Sequence, residues 1–207
     1  MSTNGSTILA WHFVGAKLLD GRPIPADGEW LVHDGPVAIC KSGLHASPDP
    51  FDALRYAPST TLCLVECADV VERHTDKLVC RRRIIKRRDA TEMLRAFARW
   101  SALQVTHLWG APRIVERFLE TGDDSLRDDA RAAAVATRRI ASQYFSRYTA
   151  LNAVWATIEA AAGPEQRTCV AHIARAAADN AAYAVEYASA KAAQRAEFNY
   201  RVQELFR

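Results

Sequence analysis

The chain has 207 residues, of which 49% are apolar and 25% charged, and its formal net charge is +3. Such a composition is globular and excludes disorder over most of the length. The small basic excess excludes a surface built wholly for nucleic acid. No apolar run approaches the roughly 18–20 residues of a membrane-spanning helix, so no membrane partner is expected. The five cysteines are Cys40, Cys63, Cys67, Cys80 and Cys169. An odd count, with no charged-then-apolar leader pattern, predicts reduced thiols and a cytoplasmic location.

Residues 7–88 read as short strands and turns. Ile8 to Val14 is rich in bulky apolar residues and predicts a strand. Asp20-Gly21 marks a turn. Trp30-Leu31-Val32-His33 and Val37-Ala38-Ile39-Cys40 flank Asp34-Gly35-Pro36 and predict a hairpin. Asp49-Pro50 predicts the cap and first residue of a short helix, with Phe51, Leu54 and Ala57 on its buried face and Pro58 at its end. Thr61 to Cys67 and Lys77 to Ile85 predict two further strands.

The pattern changes at Asp89. Asp89-Ala90-Thr91-Glu92 has the form of a capping box, and Leu94, Ala98, Ala102, Val105 and Leu108 follow at helical spacing. Gly110-Ala111-Pro112 ends that helix, and a shorter one runs from Arg113 to Glu120. From Leu126 onward, Gly163-Pro164 is the one marked break. The simplest prediction is a hairpin of two arms of about 37–43 residues, each roughly 55–65 Å long, with an unmarked bend near Tyr148-Thr149 left open. Val170, Ala174, Ala177, Ala181, Ala184 and Ala188 form a stripe of small residues, a seam for close helix packing or for a second copy of the chain. The predicted fold class is therefore α+β. A small, mostly antiparallel β domain with one short helix covers 1–88. An alanine-rich helical domain with a long hairpin covers 89–207.

Chemistry is concentrated in Cys40-Lys41-Ser42-Gly43-Leu44-His45-Ala46-Ser47 and the segment Pro50 to Ala57. His45 ends an extended run beside a helix start, where unpaired amides favour an anion. His45, Ser47 and Tyr56 are the ligand-binding candidates, set against a plain packing role for His45. The pattern Gly-Leu-His-Ala, then Asp-Ala-Leu-Arg-Tyr-Ala, then Thr-Leu-Cys-Leu-Val-Glu-Cys resembles an uncharacterised phage and bacterial domain family over residues 8–88. That resemblance implies phage or mobile-element origin and names no activity. Trp11-His12, the Gly-Leu-His element and Asp76 before Leu78-Val79 resemble ADP-ribosyltransferases. This implies His12, His45 and Asp76 as catalytic candidates and a nucleotide or NAD as ligand. The sequence departs from that superfamily where His45 replaces a Tyr and Asp76 a Glu. The alanine-rich half is similar in composition to a bacterial immunity-protein family.

Cys40, His45, Cys63, Cys67 and Cys80 are soft ligands, but alternation along one strand separates Cys63 from Cys67, so no metal site is predicted. The sequence names no cofactor. Arg81, Arg82, Arg83, Lys86, Arg87 and Arg88 form a basic run. A regular strand would place Arg81, Arg83, Ile85 and Arg87 on one face and Arg82, Ile84, Lys86 and Arg88 on the other. Charges on both faces suit an exposed edge strand, with phosphate contact as the alternative. Tyr183 and Tyr187, one helical turn apart, suit a protein interface. The leading expectation is a non-catalytic protein-binding protein of the inhibitor or immunity type, acting in phage–host conflict. A nucleotide-binding domain or enzyme centred on His45 is the competing expectation, and nucleic-acid binding by Arg81 to Arg88 the third.

Overall fold

The computed structural model describes residues 7–207 apart from 19, 34, 39–40, 145–147 and 163–168. Five strands form one antiparallel sheet: β1 (Ile8–Val14), β2 (Trp30–Leu31), β3 (Leu44–Ala46), β4 (Thr61–Arg73) and β5 (Leu78–Asp89). The described residues divide into two compact units. One runs to Ala90 and includes Val202–Arg207, and the other is Thr91–Arg201.

In the first unit β4 pairs with β1 on one side and β5 on the other. β5 in turn carries β3 and, further along, β2. Residue Ser47, just after β3, exchanges two backbone hydrogen bonds of 2.8 Å with Trp11 in β1. The ring β1–β4–β5–β3 thus closes on itself, which leaves fewer open edges than a flat sheet would. Alternation then separates an inner face from an outer one. Ala10, Val14, Ala46, Cys63, Val65, Cys67, Leu78, Cys80 and Ile84 form the buried inner cluster.

The predicted strand at Ile8–Val14 has the expected bounds, and α1 (Pro50–Leu54) starts as expected. The Asp49 carboxylate accepts the Phe51 N–H at 2.8 Å. Leu54 and Ala57 are buried, but Ala53 fills the inner place expected for Phe51, which is half-buried. The hairpin expected around Asp34-Gly35-Pro36 falls partly outside the described residues, which omit Asp34, Ile39 and Cys40. Of its described residues, Trp30 and Leu31 pair with Arg83 and Arg82 of β5, and Ala38 bridges Ser42. The backbone of β5 offers a strand partner already held in place by β4, which a free two-strand hairpin lacks.

Gly43, at the start of the Gly-Leu-His segment, has φ +106°, and a Cβ there would lie 2.8 Å from Val79 Cγ1 and 3.2 Å from Val37 Cγ1. Val79 is buried in β5 and cannot swing away. Gly43→Ala is expected to cost about 1–3 kcal/mol, read as a lowered denaturation midpoint. An unchanged midpoint would mean that the segment tolerates ordinary backbone geometry.

The second unit contains α2 (Thr91–Leu103), α3 (Arg113–Thr121), α4 (Arg127–Tyr144), α5 (Tyr148–Ala160), α6 (Val170–Tyr183) and most of α7 (Tyr187–Phe206). Gly122 closes α3 in the left-handed conformation, its N–H bonded to the Phe118 carbonyl. The α+β class holds, but neither long arm is one helix. The first is α4 and α5, packed side by side through Ala134, Val154 and Ile158, with Arg138 over the Trp155 ring at 4.1 Å. The second is α6 and α7, folded back so that Lys191 pairs with Asp179 at 2.5 Å and Gln194 donates to the Ala178 carbonyl at 2.7 Å. The Gly163-Pro164 break lies outside the described residues. The small-residue stripe ends with the helix: Ala174, Ala177, Ala181 and Ala184 are buried, while Ala188, beyond the α6–α7 corner, is exposed.

Candidate functional site

Of the catalytic and ligand-binding candidates, Tyr56 and Asp76 are brought together. Tyr56, just past α1, donates its hydroxyl to Asp76 Oδ2 at 2.6 Å, and Lys77 Nζ lies 4.1 Å from the tyrosine ring centre. That hydrogen bond holds the Asp76 carboxyl below its ordinary range, with Lys77 and Arg55 adding charge support. The two residues sit 20 positions apart, joined because the β4–β5 turn returns beside the end of α1.

The histidines are arranged differently. His12 pairs with Cys63 and so projects to the inner face. His45 precedes the inward Ala46 and projects outward by alternation. His12 is half-buried, and its imidazole is held well below the ordinary value by desolvation first, then by Arg82 and His45. Ser47 is buried and its backbone is spent on Trp11. The start of α1, expected to attract an anion, already carries the Asp49 carboxylate.

The basic run is not an edge. β5 lies between β4 and the two short strands β2 and β3. A register shift opposite Leu64/Val65 skips Ile85, so Lys86 faces Leu64 and Arg87 faces Cys63. An irregularity of this kind reverses the alternation that a regular strand would keep, which moves Arg87 to the face of Arg82 and Ile84. The outward guanidinium groups of Arg81 and Arg83 flank the Trp30 ring at 4.6 and 4.8 Å. Arg81 is also paired with Asp69 at 3.2 Å, Arg83 with Glu66 at 2.6 Å, and Arg87 with Asp27 at 2.7 Å. Lys86 donates to the Phe206 carbonyl at 2.7 Å, and Arg88 is exposed. Most of this positive charge is answered inside the unit, which leaves little to displace counterions from a phosphate backbone.

Arg82 differs from its neighbours. It projects inward, is 6% exposed, and donates to the His45 carbonyl. Around it stand Cys63, Cys67 and Cys80. Burial pushes the Cys63 thiol up to about 11. A contact between the Cys67 and Cys80 thiols draws Cys67 down and drives Cys80 up. Among the described residues, no group of three or more His, Cys, Asp or Glu side chains is placed to hold a metal ion. Cys40 lies outside the described residues. The period-2 series Leu78, Cys80, Arg82, Ile84 was the signal in the sequence that a charge lies inside.

In the helical unit Tyr183 and Tyr187 lie at the α6–α7 corner with ring centres 5.0 Å apart. They are 61% and 46% exposed, and Val185 between them is 42% exposed. The exposure of Val185 follows from a helix break that no Gly or Pro announces. The Glu186 carboxylate accepts the Ser189 N–H at 3.0 Å and so supports the new helix start.

Residues 9–96 match the family model of a domain of unknown function (DUF7666), which spans the strands of the first unit and the opening of α2. No curated protein and no solved structure matches the chain. No described helix is long and apolar enough to cross a membrane.

Proposed function

We propose that this is a non-catalytic binding protein that engages a protein partner through the α6–α7 corner. The observation that carries this reading is the exposed set Tyr183, Val185 and Tyr187. Tyrosine is a favoured hot-spot residue because it offers large area at little entropic cost, with a polar tip. The resemblance of residues 8–88 to a phage and bacterial domain family supplies the setting of phage or mobile-element origin, in which such a protein blocks or neutralises its partner.

Tagged wild type and the Tyr183→Ala/Tyr187→Ala double variant, carried through the same capture from host lysate, test the reading. The wild type is expected to recover a stoichiometric partner. The double variant is expected to bind at least about 30-fold more weakly, a hot-spot loss of about 2 kcal/mol or more, with an unchanged melting temperature. Equal recovery by both proteins would overturn it. Sedimentation at several concentrations separates a second copy of the chain from a different partner.

A second reading rests on the Tyr56–Asp76 pair, whose ionised carboxylate and aromatic ring suit the hydroxyls and base of a nucleotide. NAD, ADP-ribose and common nucleotides should then raise the melting temperature of wild type and leave Asp76→Asn unmoved. A flat screen of the wild type removes that reading.

A further inference from the structure

Cys67 of β4 and Cys80 of β5 share the inner face of the sheet and belong to one buried cluster. The ladder pairs Cys67 with Arg82 and Ala68 with Arg81, then resumes at Glu72 and Val79. Asp69, Val70 and Val71 therefore stand against Cys80 alone, in a bulge where Asp69 is left-handed with φ +52°. Such a bulge bends its strand and raises the local twist. Cys67 and Cys80 are diagonal neighbours beside it, and their thiols touch. The Cys80 thiol donates to the Cys67 sulfur, which holds Cys67 below the ordinary thiol range, and the same bond keeps Cys80 protonated. The Arg82 guanidinium, 6% exposed, lies among the same sulfurs. A donated hydrogen bond and a nearby positive charge both favour the thiolate, the nucleophilic form of cysteine. One sulfur is thus set to attack while the other carries a proton, a division of roles that two plain core residues do not need. Cys63, on the same face, is pushed up by burial and stays a thiol.

We propose that Cys67 and Cys80 are a redox-active dithiol, converted by a hydroperoxide to a disulfide that staples β4 to β5. The Cys67 thiolate attacks a peroxide oxygen, the O–O bond breaks, and the released hydroxide takes a proton to leave as water. Cys67 is then a sulfenic acid. The Cys80 sulfur displaces its hydroxyl as Cys80 gives up its proton, which forms the S–S bond and a second water. The two thiols lose two electrons and the peroxide gains them. Hydrogen peroxide is the member of the class that fits, because Cys80 is only 5% exposed and Cys67 is fully buried. Two sulfurs in contact must close to about 2.05 Å, and the bulge beside Cys80 is where β4 can yield while the rest of the ladder holds.

The test treats the whole reduced chain with hydrogen peroxide, quenches it with an alkylating agent under denaturing conditions and maps the peptides by mass. Of the five cysteines, two are expected to lose their free thiols in one peptide pair linked through Cys67 and Cys80, and dithiothreitol is expected to restore both. The link should form before Cys169, the more exposed thiol, is modified. In urea that order should be lost, and a link formed equally fast there would come from nearness in sequence and overturn the proposal. Cys80→Ser should stop at a Cys67 sulfenic acid that dimedone traps, and Cys67→Ser should form no link. In the wild type, retention of all the thiols, oxidation of Cys169 first or a link through Cys63 overturns the proposal, whether or not either variant folds.

Discussion

Phe97→Ala is expected to destabilise the helical unit by about 3–5 kcal/mol. Phe97 is fully buried on α2 and meets the ring of Phe198, also fully buried, edge to face at 5.0 Å. A second ring, Trp100, lies stacked at 6.2 Å. The loss therefore has a transfer part, an aromatic-pair part and a cavity part. The cavity part falls at the high end because of the surroundings. α2 packs on α6, whose buried residues are Ala171, Ile173, Ala174, Ala177, Ala178, Ala181 and Ala182. Alanine has no rotamer with which to enter a void, so closing the hole requires movement of backbone. Denaturant unfolding followed by helical circular dichroism measures the effect. Phe97→Leu, which keeps most of the volume, should lose less than half as much. A Phe97→Ala loss below about 1 kcal/mol would show that the ring does not hold these helices together.

The same alanine content explains what the sequence could and could not reveal. Ile8–Val14, the Asp49-Pro50 helix start and the Thr121-Gly122 stop follow from local rules: bulky alternation, a carboxylate cap and a left-handed glycine. Those rules act over a few residues and need no partner. The breaks between α4 and α5 and between α6 and α7 are tertiary. Alanine favours helix at every position equally, so its pattern carries no mark of where a chain should turn. The turn at Ala184 to Glu186 is held by Lys191 on Asp179 and Gln194 on the Ala178 carbonyl, twelve and sixteen residues apart. The basic run failed as an edge strand for a related reason. Arg81, Arg83 and Arg87 carry acidic or aromatic partners from distant segments, and a one-residue irregularity at Ile85 reverses the faces after it. The Tyr56–Asp76 pair was within reach as two separate candidates, but their meeting depends on the β4–β5 turn. Arg82 stood in an apolar period of two, and that series was the mark of a charge carried inside.

Acidification should weaken the sheet unit before any carboxylate titrates. His12 sits on the inner face, and its imidazole is held well below the ordinary 6.5 by desolvation, by the Arg82 charge and by His45. The groups facing it from β4 and β5 are Cys63 and Arg82, neither of which offers a negative charge to an imidazolium. In the unfolded chain His12 takes a proton near pH 6.5, and in the folded chain it does not. Its stabilising contribution is therefore fully present above pH 6.5 and falls as pH drops toward the depressed folded value. The slope is about 1.4 kcal/mol per pH unit for one proton. Asp20, Glu66 and Asp76 are held low and add their own loss only in the more acidic carboxylate range. Glu159, in the helical unit, is raised by burial and works in the opposite direction there. Urea midpoints read from the amide resonances of β4 and β5 between pH 7.5 and 5 should fall steadily below about pH 6.5. In His12→Gln the same curve should be flat over that range, because glutamine keeps a polar side chain of similar reach and takes no proton. A flat wild-type curve would place His12 in contact with solvent. An equal slope in both proteins would assign the effect to another group.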